Sequence, residues 1–363
     1  MKLFSRNHLN ITLWYILYWV LALFFFIALR FAGHSSIVTN PIDSELPLDF
    51  SLFYRIGLFG AVGIGILFGL LEIVFEKRGF RNLSYGKLIA AKSLIYILIF
   101  MITMAVLSIR NQQISLGYFD FQRWQSAYFQ ANLLIPISFM ASASILLNFI
   151  RVINLKFGPG NLWRMLIGKF YRPQQEQRIL MFLDLKSSTT IAEKLGHSKF
   201  SELIQDCFND LAVVQQHQAE IYQYVGDESI LAWDTTRGLR NNNCIMAYFA
   251  FKDALRARSE YYMGKYGLVP FFKAGMNLGY VTIVEVGRIK KEIAFHGDTV
   301  NTAARIQAMC NQFDQGLLIS ESLEQKLLDS EAFQKQQLGR ILLKGKQEEV
   351  NIYSITRSHE IEV

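Results

Sequence analysis

Two aspartates in the second half of the chain are placed as paired cation ligands would be. Asp184 ends the apolar run ILMFL at 179–183, and Asp227 lies in a Gly-Asp turn inside AEIYQYVGDESILAW. If that hairpin pairs beside the first strand, the two carboxylates become neighbours. Like charges about 4 Å apart repel by about 4 kcal/mol at an effective dielectric of 20. Such a pair suits a bound cation, and hard oxygen ligands suit Mg²⁺ or Mn²⁺ bridging phosphates. The plainer alternative is that Asp184 caps the next helix and Asp227 satisfies its own turn. Ser187, Ser188 and Thr189 follow directly and open a helix, where free backbone N–H groups suit a phosphate, although Ser and Thr are also ordinary caps. Asn301 and Arg305 stand four apart in GDTVNTAARIQ. That spacing puts a carboxamide and a guanidinium on one helical face, for one ligand or simply for solvent. Lys344-Gly345-Lys346 forms a hairpin tip that could reach an anion or serve solubility alone.

Those residues need a scaffold, and from Arg178 onward short strands and helices alternate. ILMFL reads as a buried strand. SSTTIAEKLG and KFSELIQDCFNDLAVVQQH read as helices, followed by the Gly-Asp hairpin and a helix from about Cys244 to Tyr266. FFKAGMNLG and YVTIVEVG read as a strand pair, IAFHG as a short strand, and GDTVNTAARIQAMCNQ as a helix starting near Gly297. LLIS, a helix around Leu323 to Leu328, and the hairpin RILLKG/EVNIYSI complete an α/β sandwich with a mainly antiparallel sheet.

The first half is of another kind. Hydrophobic residues make up 52% of the chain, high for a soluble protein. Residues 11 to 29 carry no charge, close to the roughly 20 residues that cross a bilayer core. Three more uncharged stretches follow, at 56–71, 93–109 and 124–150. The second and third are short unless Arg55, Glu72 and Lys92 snorkel to the interface. Lys2 and Arg6 precede the first span, and Lys77, Arg78, Arg81 and Lys87 lie between the second and third, which makes those sides cytoplasmic. Loops holding Asp43, Glu45 and Asp49, and Arg110 and Arg123, then lie outside, and the chain after Arg151 returns to the cytoplasm. The first span is too long in its apolar core for a signal peptide.

The net charge of +7 thus reflects membrane flanks, not nucleic-acid binding. Cys207, Cys244 and Cys310 stand at unrelated spacings, and the six histidines show no ligand pairing, so neither disulfides nor a zinc site is expected. Between the halves, Leu162 to Tyr171 reads as an amphipathic helix ended by Pro173, either resting on the membrane or transmitting a signal. Glycines 57, 60, 63, 65 and 69 give the second span a small-residue stretch. It can pack within its own chain or join two chains.

Taken in order, FLDLKSST, YVGDES, FKAGMNLG, HGDTVNTAARIQ and LLKGK resemble the class III adenylate/guanylate cyclases. Together with the four apolar stretches, the resemblance gives a multi-domain protein: a four-helix transmembrane domain followed by a ferredoxin-like α/β sandwich. Its expected bounds are 1–153 for the membrane domain, with helices at about 11–31, 53–75, 88–109 and 130–151, a linker at 154–176, the catalytic domain at 177–357 and a tail at 358–363. The spans and their lysine and arginine flanks make it an integral protein of the plasma membrane with its N-terminus and catalytic domain in the cytoplasm, and the resemblance implies that it converts ATP to cyclic AMP and pyrophosphate, with GTP the alternative substrate. Asp184, Asp227 and the Leu185 carbonyl match metal ligands, for two Mg²⁺ or Mn²⁺ per site. Asn301 matches a ribose-orienting residue, Arg305 a transition-state cation, Lys344 a holder of terminal phosphates, and Lys273 a further phosphate contact. Family sites lie between two catalytic domains, so one chain carrying both residue sets implies a homodimer. At the positions matched to purine selection stand Phe271 and Ala294, neither of which hydrogen-bonds through its side chain.

Three other classes share parts of this pattern. A diguanylate cyclase has a Gly-Gly-(Asp/Glu)-Glu-Phe hairpin, where this chain has Val225-Gly226-Asp227-Glu228-Ser229. A degenerate cyclase that only senses is favoured by the altered purine positions and opposed by the intact metal and transition-state positions. A transporter would carry ionisable groups deep in its spans, whose interiors read as uncharged.

Overall fold

Long uncharged runs become long helices in the first of two compact units, Met1–Lys156 and Phe157–Val363. The computed structural model describes residues 6–31, 50–75, 84–130, 134–158, 160–342 and 349–358. In the first unit they form α1 (Arg6–Phe31), α2 (Phe50–Phe75), α3 (Tyr85–Leu116), α4 (Phe121–Gln130) and α5 (Leu134–Phe157). Among the described residues, three stretches are long and apolar enough to cross a membrane: Leu58–Phe75, Tyr85–Thr103 and Ile135–Phe157. α1 contributes a shorter one, Ile11–Phe26. Leu13, Leu17 and Leu21 on α1, and Leu94, Leu98, Ile102 and Val106 on α3, recur every four residues and are each more than half exposed. Inward, Tyr15, Trp19, Phe68, Tyr96, Met140 and Leu147 pack together.

The structure differs from the sequence reading of this unit in two places and favours one of its two alternatives in a third. Glu72 and Lys92, expected to snorkel outward, are buried. Lys92 Nζ lies 2.6 and 2.8 Å from the two Glu72 oxygens, Arg151 Nε lies 2.8 Å from Glu72 Oε1, and the Tyr15 hydroxyl donates to Glu72 Oε2 at 2.9 Å. One carboxylate thus collects donors from α1, α3 and α5, which replaces the water that snorkelling would have supplied. Gly65 and Gly69 face α1 of the same chain, where an added Cβ would stand 2.5 Å from Ile16 Cα and 2.8 Å from Thr12 Cα. They are not free to join a second chain. Finally, α3 continues through Arg110 to Leu116 and stops at Gly117, whose left-handed backbone directs its N–H to the Gln113 carbonyl. Glu72→Ala removes the carboxylate shared by buried Lys92 and partly exposed Arg151, and losing one partner of a buried pair costs about 3–5 kcal/mol. Denaturant unfolding of the bilayer-reconstituted chain should show a loss of that order, whereas an unchanged midpoint would mean that the cluster contributes nothing.

The second unit begins with a six-residue helix, α6 (Asn161–Leu166). The expected amphipathic helix ends early at Gly168, whose φ is 72°. Phe170 is buried, but Trp163, Leu166, Ile167 and Tyr171 are exposed. There follow β1 (Gln174–Leu185), α7 (Ser188–Leu195), α8 (His197–Asp210), β2 (Glu220–Val225), β3 (Glu228–Asp234), α9 (Thr235–Leu239), α10 (Asn243–Arg256) and α11 (Ser259–Tyr266). Then come β4 (Phe272–Val286), β5 (Glu292–His296), α12 (Asp298–Met309), β6 (Leu317–Ser320), α13 (Glu321–Glu324), β7 (Phe333–Ile341) and β8 (Val350–Arg357). The sheet order is β2-β3-β1-β4-β6-β8-β7, with β5 also on β4. The sheet is mixed: β4 and β6 run parallel, and the other pairs are antiparallel.

Side chains alternate across a strand, and the unbroken run ILMFL follows from burial on both faces of β1. Ile179, Met181 and Leu183 enter the core that includes Tyr248, Phe251 and Tyr262. Leu180 and Phe182 enter a smaller one with Phe170, Val281 and Ala303 of α12.

Two expectations fail here for local reasons. FFKAGMNLG and YVTIVEVG form one continuous strand, β4. The turn that a strand pair would need is absent, and Gly275 and Gly279 instead lie under α12: an added Cβ would lie 2.0 Å from Gln307 N and 2.4 Å from Thr299 Oγ1 respectively. The helix expected from Cys244 to Tyr266 is broken between Arg256 and Ser259. There Arg258 turns to hold the Asp210 carboxylate, 2.6 Å from its Oδ1.

Close by, Asp206 accepts hydrogen bonds from Tyr261 and Tyr266 at 2.7 Å each and from Lys265 at 3.1 Å. Burial pushes its carboxyl upward, but these donors outweigh burial and hold it below the usual range. A depressed carboxylate stabilises the fold above its unfolded value, about 3.9, and loses that contribution as pH falls through its folded value. Asp206→Asn should therefore lower the melting temperature above about pH 4, the two proteins converging in stronger acid. Parallel melting curves at every pH would remove the assignment.

Candidate active site

β1 delivers Asp184 to the end of the sheet opposite Glu228 of β3 and Lys273 of β4. The tight β2–β3 turn, with Gly226 at φ 63°, places Asp227 beside them. Neither aspartate serves in the plainer way that its sequence allows. Asp184 is not the cap of α7, which starts after Ser187; it accepts from Gln307 Nε2 at 3.1 Å and pairs with Lys273 Nζ at 3.4 Å. Asp227 is not satisfied by its turn, because its Oδ2 is buried without a hydrogen-bond partner.

The electrostatics follow from crowding. Burial, then the Asp227 charge, raises the Asp184 carboxyl, against the pull of Lys273 and Gln307. Glu228 is pushed up to about 7 by burial and by the charges of Asp184 and Asp227. Three carboxyls in one corner, with a buried oxygen left unmatched, fit a divalent cation. Among the described residues no group of three or more His, Cys, Asp or Glu is arranged as a metal cluster. A cation held here would need oxygen ligands beyond these carboxylates. The Leu185 carbonyl stands next in the chain. At the start of α7, Ser187 and Thr189 are exposed and Ser188 partly so, and Ser187 takes the left-handed conformation at φ 60°.

Asn301 is exposed and Arg305 partly exposed on α12. Neither meets the aspartates of its own chain. Counting about 100° per residue, Asn301 lies about 120° and Arg305 about 160° around the helix from Gln307, the residue that touches Asp184. Lys273 is buried and reaches Asn311 Oδ1 at 2.9 Å as well as Asp184. Lys344 lies outside the described residues. Phe271 borders a cavity of about 230 Å³ with Tyr248, Lys252 and Arg256, and its carbonyl accepts the Lys186 N–H at 2.9 Å. Ala294 is on β5 opposite Val284, roughly 40 Å along β4 from Phe271 at about 3.3 Å per residue. The two purine-matched positions do not meet within one chain.

Sequence reasoning missed Glu228, Gln307 and Asn311. Glu228 had a signal in its position directly after Asp227. Gln307 and Asn311 had none, since only the seating of α12 on Gly275 brings them to Asp184.

Known proteins place this architecture. Residues 170–357, just over half of the chain, match the adenylate and guanylate cyclase catalytic domain. "Adenylate cyclase 2" of Rhizobium meliloti (strain 1021) is 31% identical over 193 residues, 53% of each chain. An adenylate cyclase of Anabaena cylindrica is 27% identical over 187 residues, 48% of this chain and 36% of its own. The chain thus spans about half the length, or less, of the curated relatives it matches. The solved structure of a bacterial light-regulated adenylyl cyclase shares the fold at a TM-score of 0.53 with 18% identity, over 64% of this chain and 68% of its own. With its five motifs lying inside that matched stretch, the chain belongs to the family of the adenylate and guanylate cyclase catalytic domain.

Proposed function

We propose that the chain is a membrane-anchored class III cyclase that converts ATP to 3′,5′-cyclic AMP and pyrophosphate at a site shared by two copies. The observation that carries this reading is the buried, unmatched Oδ2 of Asp227 beside Asp184, in a chain of this family. ATP is favoured because the curated relatives are named adenylate cyclases; Phe271 and Ala294 give no side-chain hydrogen bond of their own. The four-helix membrane anchor draws support from the apolar outward stripes of α1 and α3. The cytoplasmic orientation and plasma-membrane location rest on the lysine and arginine flanks.

Asp184 and Asp227, with the Leu185 carbonyl, would hold two Mg²⁺ or Mn²⁺. Bound there, such cations supply positive charge to the triphosphate and favour ionisation of the ribose 3′-hydroxyl. The chain's own groups do the remaining work. The first turn of α7, at Ser187, Ser188 and Thr189, turns backbone N–H groups toward phosphate oxygens. Lys273 and Lys344 add charge for the β- and γ-phosphates. Asn301 orients the ribose, so that its 3′-oxygen attacks the α-phosphorus as that oxygen loses its proton and pyrophosphate departs. Arg305 offers its guanidinium to the charge that grows on the α-phosphoryl oxygens. Because Asn301 and Arg305 point away from their own Asp184, they complete the site of a second copy, and a two-fold pair has two such sites.

Product analysis of the purified full chain tests this reading. ATP with Mg²⁺ or Mn²⁺ should give cyclic AMP and pyrophosphate in equal amounts. Cyclic GMP formed from GTP alone would transfer the activity to guanylate. No product from either nucleotide would leave a nucleotide-binding sensor.

A further inference from the structure

α12 has two working faces, and the inward one is clamped to the cation corner of its own chain. Gln307 is buried and donates to Asp184 Oδ2 at 3.1 Å. One turn on, Asn311 accepts from Lys273 Nζ at 2.9 Å, and Lys273 also pairs with Asp184 Oδ2. The Cys310 thiol, between them, donates to the Ala274 carbonyl at 3.3 Å. The helix has no slack at this point, because Gln307 backbone atoms occupy the place where a side chain on Gly275 would begin. The outward face carries Asn301 and Arg305.

We infer that Gln307 is a positioning residue that couples the two active sites of the dimer. This rests on the shared-site reading. In each copy, Gln307 joins the Asp184 of one site to the helix that supplies Asn301 and Arg305 to the other. It fixes one Asp184 oxygen, which leaves the carboxylate oriented for a cation. It also sets the height of α12, and with it the reach of Arg305 into the partner's site. Occupation of one cation corner is thereby felt at the opposite site through a single rigid helix and not through the subunit contact alone.

The test uses mixed dimers that contain one intact site. One copy carries Arg305→Ala and supplies the aspartates; the other carries Asp227→Asn and supplies Asn301 and Arg305. Gln307→Met, close in volume but unable to donate, is then placed in either copy. In the aspartate-supplying copy it should weaken cation binding, read without turnover by titrating the Mn²⁺ electron paramagnetic resonance signal, and raise the half-saturating Mg²⁺ concentration, each about tenfold, the low end for a hydrogen bond to a charged group. In the other copy, where Gln307 touches only the dead site, it should lower kcat several-fold and leave the Mg²⁺ requirement unchanged. Equal effects from the two placements, or none in the second, would overturn the coupling. Mixed dimers inactive before Gln307 is changed would overturn the shared site itself, a distinguishable failure that removes the coupling with it. If Gln307→Met does not fold, the exposed Asn311→Ala should give the same asymmetry in weaker form, and symmetric behaviour there refutes the proposal equally.

Discussion

Asp184→Asn and Asp227→Asn are each expected to lower kcat by about 10³-fold or more while leaving the melting temperature of the catalytic unit close to that of the parent. The size follows from what a bound cation contributes to a phosphoryl transition state, several kcal/mol, at 1.36 kcal/mol for each factor of ten. The fold should survive because neither aspartate holds the sheet together. Asp184 bonds only through side chains to Gln307 and Lys273, and Asp227 buries an oxygen with no partner at all. Replacing that oxygen by an amide removes a crowded charge and could raise stability slightly. The measurement is turnover across a Mg²⁺ and Mn²⁺ series, with thermal melting alongside. Normal turnover by either variant would remove the cation assignment.

The second large effect is a recovery. Arg305→Ala alone should cost about 10² to 10³ in kcat, the scale for one preorganised transition-state donor, and Asp227→Asn should be inactive as above. Mixed in equal amounts with free exchange of copies, half of the dimers contain one of each, and each of those has one complete site out of two. Activity should therefore return to about one quarter of the parent. A self-contained site cannot behave this way, since each chain would carry its own defect. The angular separation of Asn301 and Arg305 from Gln307 makes the shared arrangement the expected one. Failure to recover activity, with exchange shown by tagged copies, would place the site within a single chain.

The strand that carries Asp184 and the Gly-Asp hairpin were legible because their signals are local. Four or five apolar residues ending on an aspartate make a buried strand, and a glycine between two such runs makes a turn. The same rule misled at Gly275 and Gly279, where glycine answers a helix packed overhead and not a change of direction. Nothing in FKAGMNLG separates the two cases, since the cause is a helix twenty or more residues further along the chain. Glu72 and Lys92 misled in a related way: near the ends of apolar runs, a charge reads as reaching for water. Their partners sit on other helices, so only the assembled bundle shows that acidic and basic side chains are buried among the apolar helices. Gln307 is ordinary in sequence and becomes informative only through its distance to Asp184.

The shared acceptor in the membrane unit also bears on how this chain must be made. If the proposed anchor inserts helix by helix, Glu72 on α2 enters the bilayer before Lys92 on α3, and well before Arg151 on α5. A charged residue left alone within a bilayer costs about 2.5–3.5 kcal/mol even by the lenient scale of insertion measurements. During synthesis the carboxylate is stranded until α3 joins it, and the quartet with Tyr15 closes only when α5 arrives. A ribosome has by then little left to translate before the catalytic unit begins. On that order of insertion, a chain halted or truncated ahead of Arg151 presents an ionic core that lacks one of its donors.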